Sequence, residues 1–130
     1  IGTLRVPDAL LGCMRKSRCV RIDSPLPERV RFLIEEYRHF LTYPAWLKAQ
    51  LSRLTALHST QTVQRWVRQI DSGEWESLVA DLLVTHYDPA YLRSMKNNYA
   101  GLASAPLVHL PTLDASQFET GAGTVLEATA

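Results

Sequence analysis

The chain has 130 residues, of which 46% are hydrophobic and 21% charged, with a formal net charge of +1; these are values of an ordinary globular protein with a modest core. No apolar run approaches the roughly 18 residues of a membrane span, and the charge at Arg5 with the proline at Pro7 leaves no signal-peptide core. Two cysteines, Cys13 and Cys19, are too few to staple a secreted scaffold and fit no zinc spacing; the expectation is two reduced, buried thiols, one on a helix and one on a strand, in a cytoplasmic protein.

Val6-Pro7-Asp8 opens a short helix whose apolar side is Leu10, Leu11 and Met14. Residues 18–22, with Cys19, Val20 and Ile22, read as a strand that Asp23-Ser24-Pro25 stops. One strand needs ladder partners. Together with a first residue, Ile1, that is not methionine, this points to partners upstream of the chain.

From Pro27 the pattern is helical. Val30, Leu33, Ile34, Tyr37, Phe40 and Leu41 form one apolar stripe, and Arg31 and Glu35 are spaced to pair on the polar face. Pro44 starts the next helix, with Leu47, Leu51, Leu54 and Leu57 inward; Trp46 falls one position off that stripe and is the aromatic expected at the surface. Ser59 or Thr60 caps a third helix, which buries Val63, Trp66, Val67 and Ile70 and ends at Gly73. Glu74 and Glu76 favour the start of a fourth, with Trp75, Leu78, Val79, Leu82 and Leu83 toward the core. Asp88-Pro89 reads as N-cap and first residue of a fifth, carrying Leu92, Met95 and Tyr99. The tail from Ala100 is rich in small residues, has one short apolar run at Leu107-Val108-His109-Leu110, and reads as partly disordered.

The fold class expected is mainly α. It comprises a bundle of about five helices over residues 26–99, preceded in residues 1–25 by the last helix and edge strand of another domain and followed by the tail, 100–130.

Charge is unevenly spread. Residues 1–31 hold Arg5, Arg15, Lys16, Arg18, Arg21, Arg29 and Arg31 against Asp8, Asp23 and Glu28, whereas 97–130 hold no lysine or arginine. A polyanion would meet the N-terminal half and the helices carrying Arg65, Arg68, Arg93 and Lys96. The same residues could equally form a solvated face, and Trp66 and Trp75 on their stripes are core before they are base-stacking groups.

Familiar catalytic patterns do not occur together here. The six glycines form no phosphate loop, no paired histidines or cysteines offer a metal site, and no nucleophile has a visible base. One cluster stands out, His86-Tyr87-Asp88-Pro89-Ala90-Tyr91-Leu92-Arg93-Ser94, which gathers an imidazole, two phenols, a carboxylate and a guanidinium. A structural account covers most of it, since Asp88 can cap a helix and His86 can sit at a negative helix end. Arg93 is left without a part in that account.

Read in order, these segments resemble the C-terminal region of the tRNA 2-selenouridine synthase family. The carriers are Ile1-Gly2, the helix over 7–14, Cys19-Val20-Arg21-Ile22 with Pro27-Glu28-Arg29-Val30, and the helix over 33–41 with Tyr37. Further on come Thr62-Val63 with Trp66, Ile70 and Gly73, then Leu82-Leu83-Val84-Thr85-His86-Tyr87-Asp88-Pro89-Ala90-Tyr91 with Arg93 and Ser94. The likeness spans residues 1–98, and its last segment is the most specific.

The resemblance implies an enzyme that joins a rhodanese-like domain with a catalytic cysteine to a P-loop domain, followed by this helical region. Such enzymes exchange the sulfur of wobble 2-thiouridine in tRNA for selenium from selenophosphate, through an intermediate geranylated from geranyl diphosphate. Neither Cys13 nor Cys19 matches the catalytic cysteine, so no catalytic residue, metal or cofactor is expected in this chain. Residues 1–25 would then close the P-loop domain. The remaining task is to position the tRNA anticodon arm, with Arg15, Lys16, Arg18, Arg21, Arg65 and Arg68 as phosphate-binding candidates and His86, Tyr87, Asp88, Tyr91 and Arg93 as a functional cluster of undefined role. The alternative is a non-catalytic helical module that binds protein.

Overall fold

The computed structural model describes residues 6–129; Ile1-Gly2 and Arg5 lie outside the described residues. The chain is mainly helical, and it divides into two compact units, residues 25–88 and residues 1–24 with 89–130.

After a first helix, α1 (Asp8–Lys16), the unit of residues 25–88 is built from α2 (Leu26–Glu36), α3 (Arg38–Leu41), α4 (Pro44–Ser52), α5 (Thr60–Asp71) and α6 (Trp75–Leu82). Its core is Leu51, Val63, Trp66, Ile70 and Leu78, with Leu47, Leu54, Trp75 and Leu82 packed around them. Each such side chain taken from water contributes roughly 1.5–3 kcal/mol. Trp66 is fully buried and Trp46 lies at the surface, as the two leucine-and-tryptophan stripes require.

Local chemistry sets the element ends. The Ser59 hydroxyl accepts from the Thr62 amide and caps α5. At its other end Gly73 takes φ +68, where a side chain would be strained. Its amide donates to the Ile70 carbonyl and that of Glu74 to the Gln69 carbonyl, the paired bonds of a Schellman ending.

The long stripe over 30–41 does not make one helix. Tyr37, at φ −105 and ψ 20, interrupts it, so α3 is a separate turn and Tyr37 is exposed rather than buried. Arg31 pairs with Glu28, three residues back, and Glu35 with Arg38, in place of the Arg31–Glu35 pair. After α4 a 3-10 turn, Arg53–Ala56, carries the chain to His58.

The fifth helix begins at Asp88 as expected, but Asp88 is not its N-cap. After α6 the chain widens into a π turn, Leu83–Tyr87, and passes without a break into α7 (Asp88–Asn98). Asp88 itself is helical, at φ −61 and ψ −46, and its amide donates to the Leu83 carbonyl five residues back. Proline has no N–H and its ring crowds the preceding turn; a π turn just before it absorbs that misfit.

In the other unit, α1 (Asp8–Lys16) buries none of its residues. Cys13 on it is therefore exposed and Cys19 partly so, both as free thiols, against the expectation of two buried ones. The strand is shorter and later than expected: β1 (Arg21–Asp23) pairs in parallel with β2 (Leu107–His109), in the register Arg21 to Leu107, Ile22 to Val108 and Asp23 to His109. Its ladder partner thus lies within the chain. Val108 and Leu110 are buried. The segment expected as a partly disordered tail forms β2 and a helix, α8 (Ala115–Thr129).

Asp114 caps α8, accepting from the Gln117 amide at 3.0 Å and the Ser116 hydroxyl at 2.7 Å, and from the Thr112 hydroxyl at 2.6 Å. Those bonds hold its carboxyl down at about 2. Gly121 lets α8 approach Leu110, since a Cβ there would stand 2.7 Å from a leucine methyl. No described helix is long and apolar enough to cross a membrane.

Candidate functional site

The best-defined polar arrangement surrounds the π turn. Two local features bring it about: the 3-10 turn and the Ser59 cap fix His58 at the entrance to α5, and the π turn carries His86. The His58 Nε2 and His86 Nδ1 atoms lie 2.9 Å apart. One ring donates and the other accepts, so the pair shares a single ring proton in its neutral form. Burial, and then the positive charge His58 would carry, push the His86 pKa below the usual histidine value.

The edge of His58 also meets Trp66, with centroids 5.2 Å apart and planes at 73°, and Tyr87 packs edge-on to His86. The Trp66 indole N–H is buried without a hydrogen-bond partner among the described residues.

One turn further, Asp88 receives both arms of the Arg29 guanidinium, at 2.9 Å and 2.5 Å. This fork joins α2 to the end of the π turn. It also gives Asp88 a task other than the capping one that its place before Pro89 implies.

Of the five residues singled out in that cluster, the unit of residues 25–88 holds His86, Tyr87 and Asp88 together. Tyr91 and Arg93 belong to the other unit and are exposed. Sequence reasoning missed His58 and Arg29 as partners. Arg29 had a visible signal, an arginine on the helix that carries Val30, but nothing local marked which carboxylate it would meet.

The basic candidates differ in how far they are engaged. Arg65 forms a fork with Asp81 at 2.6 and 3.1 Å, whereas Arg68 on the same helix is exposed and has no ion pair among the described residues. Arg15 donates to the Asn98 side chain and Arg18 to the Thr129 carbonyl; both of these partners are neutral, and neither arginine has an ion pair among the described residues. Lys16 and Arg21 are exposed with no side-chain partner among the described residues.

Chemically, the histidine pair can take up or release a proton. Among the described residues no group of three or more His, Cys, Asp or Glu side chains could hold a metal ion. Comparison with family models, with curated proteins and with solved structures gave no match.

Proposed function

We propose that this chain is the C-terminal helical part of a tRNA 2-selenouridine synthase, and that it positions tRNA while the chemistry belongs to rhodanese-like and P-loop domains upstream. The observation that carries the reading is the ordered series of segments ending in His86-Tyr87-Asp88-Pro89. Two of those segments, Pro27-Glu28-Arg29-Val30 and the His-Tyr-Asp-Pro run, touch through the Arg29–Asp88 fork, which gives both a shared structural reason. On this reading selenophosphate and geranyl diphosphate act in the upstream domains. The chain alone turns over neither.

The RNA contacts fall to cations without a carboxylate partner among the described residues: Arg15, Lys16, Arg18 and Arg21 in one unit and Arg68 in the other. Each phosphate contact releases condensed counterions, so removing one lowers the slope of log affinity against log salt by roughly 0.7 to 0.9. The test is a salt titration of thiolated tRNA binding with the Lys16→Ala and Arg21→Ala variants. Folded variants with unchanged slope and affinity would refute phosphate contacts there.

A second reading, a helical module that binds protein, is favoured by α1 and α7. Leu10 and Met14 on α1, and Leu92 and Met95 on α7, are all exposed apolar side chains. A tRNA that does not bind at any salt concentration would select this second reading.

A further inference from the structure

Between α2 and α4 five aromatic rings fall within ten residues: Tyr37, His39, Phe40, Tyr43 and Trp46. None of them joins the core. The cause is local, since the break at Tyr37 turns α3 away from the stripe and Pro44 starts α4 anew. The rings are ordered against one another. Phe40 and Trp46 stack with centroids 5.2 Å apart and planes 9° from parallel, and Tyr37 lies on Phe40 at 5.8 Å and 23°. Yet Tyr37 is 52% exposed, Tyr43 66% and Trp46 48%.

A depression of about 270 Å³ opens here, walled by His39, Phe40, Tyr43 and Trp46. It is smaller than the roughly 300–1,000 Å³ of pockets for drug-sized ligands and suits one planar ring system. Its walls contain no carboxylate. Before the rings in sequence, Glu35 pairs with Arg38, while Glu36 is exposed without an ion pair among the described residues. Along the strip Tyr43, Trp46 and Gln50 the next residue is Arg53, exposed and without an ion pair among the described residues.

We propose that Tyr37, Phe40, Tyr43 and Trp46 form a stacking platform for an unpaired RNA base, with Arg53 placed for the adjoining phosphate. This rests on the RNA reading above and names the place where a splayed base would lie. The argument is shape and charge together. Phe40 is covered by its ring neighbours and braces them, while Tyr43 and Trp46, 66% and 48% exposed, leave ring surface on which the flat π face of a base can stack. Single-stranded loops are where RNA presents unstacked bases to aromatic side chains. The lining of the depression carries no acid to repel a phosphate, and Arg53, which follows Tyr43, Trp46 and Gln50 at helical spacing, supplies the positive charge a polyanion requires.

The experiment measures binding of the full chain to a labelled uridine-rich single-stranded RNA, to an abasic strand of the same length, and to thiolated tRNA. Trp46→Ala and Tyr43→Ala are compared with Trp46→Phe and with Phe118→Ala, an exposed aromatic in the other unit. Loss of one stacked ring should weaken the uridine-rich strand by roughly 5- to 150-fold, with Trp46→Phe retaining most affinity and Phe118→Ala all of it. Equal affinity for the abasic strand, unaffected binding in both alanine variants, or no RNA binding at all overturns the platform. If Trp46→Ala does not fold, Tyr43→Ala decides alone. Salt-dependent tRNA binding that survives both alanine substitutions would remove the platform and leave the tRNA reading standing. Ring-dependent binding of the oligonucleotide without any binding of tRNA would do the reverse.

Discussion

The Arg29–Asp88 fork can be weighed directly. Two N–H groups of one guanidinium meet both oxygens of one carboxylate, and the side chains are 31% and 41% exposed. Fully exposed pairs couple by about 0.2–1 kcal/mol, whereas truncating one partner of a buried pair costs about 3–5 kcal/mol. Solvent reaching a third or more of each side chain removes most of the larger figure. The fork geometry keeps the value at the upper end of the smaller one. A double-mutant cycle with Arg29→Ala, Asp88→Ala and both should therefore return a coupling of about 1 kcal/mol, roughly fivefold in the unfolding equilibrium.

The assay is urea unfolding followed by tryptophan emission, because Trp66 and Trp75 report on the same unit. Asp88→Asn separates two explanations of this residue. Asparagine caps helices as well as aspartate does, so a capping role predicts little change, while the ion pair predicts most of the loss seen with alanine. High salt should also shrink the coupling. A coupling within about 0.3 kcal/mol of zero, near the error of such cycles, would refute the ion-pair account.

Two further outcomes test the same unit. Leu78→Ala, at a side chain 1% exposed in the middle of the core, should cost about 2–5 kcal/mol in urea unfolding; a loss under about 1 kcal/mol would mean that the helices repack freely. His86 has a lowered pKa in the folded chain, so the unfolded chain binds the proton more readily and stability falls as pH drops through the ordinary histidine range. His86→Asn should flatten that dependence in unfolding measured from about pH 8 to about pH 5, and an unchanged slope would reject the shared-proton pair.

What the sequence made visible was local. The Ser59 cap, the Gly73 ending and the buried Trp66 each follow from a few neighbouring residues. The misreadings come from competition between local and distant forces. Tyr37 and Phe40 continue an apolar stripe by spacing, but the backbone breaks at Tyr37 and turns both toward the surface side of the unit. Asp88-Pro89 carries every mark of an N-cap and first helical residue, yet the preceding π turn accommodates the proline and Arg29 claims the carboxylate. The partner of β1 lies 86 residues away at His109, and parallel pairing of that kind has no short-range signature. The His58–His86 contact was illegible for the same reason, since each histidine sits beside a local feature that explains it separately.

The split among the cations bears most on function. A net charge of +1 describes an average that no ligand meets. In residues 25–88, Arg29, Arg31, Arg38, Lys48 and Arg65 are each matched by a carboxylate, and their fields largely cancel beyond about 10 Å at ordinary salt. Arg53 and Arg68 in that unit, and Lys16 and Arg21 in the other, have no such match among the described residues. Attraction of a polyanion scales with uncompensated charge. The paired group should therefore govern unfolding and barely move RNA affinity, while the unpaired group should do the opposite. That inversion separates a surface shaped for a nucleic acid from a basic surface that is only solvated, because solvated charge changes neither quantity.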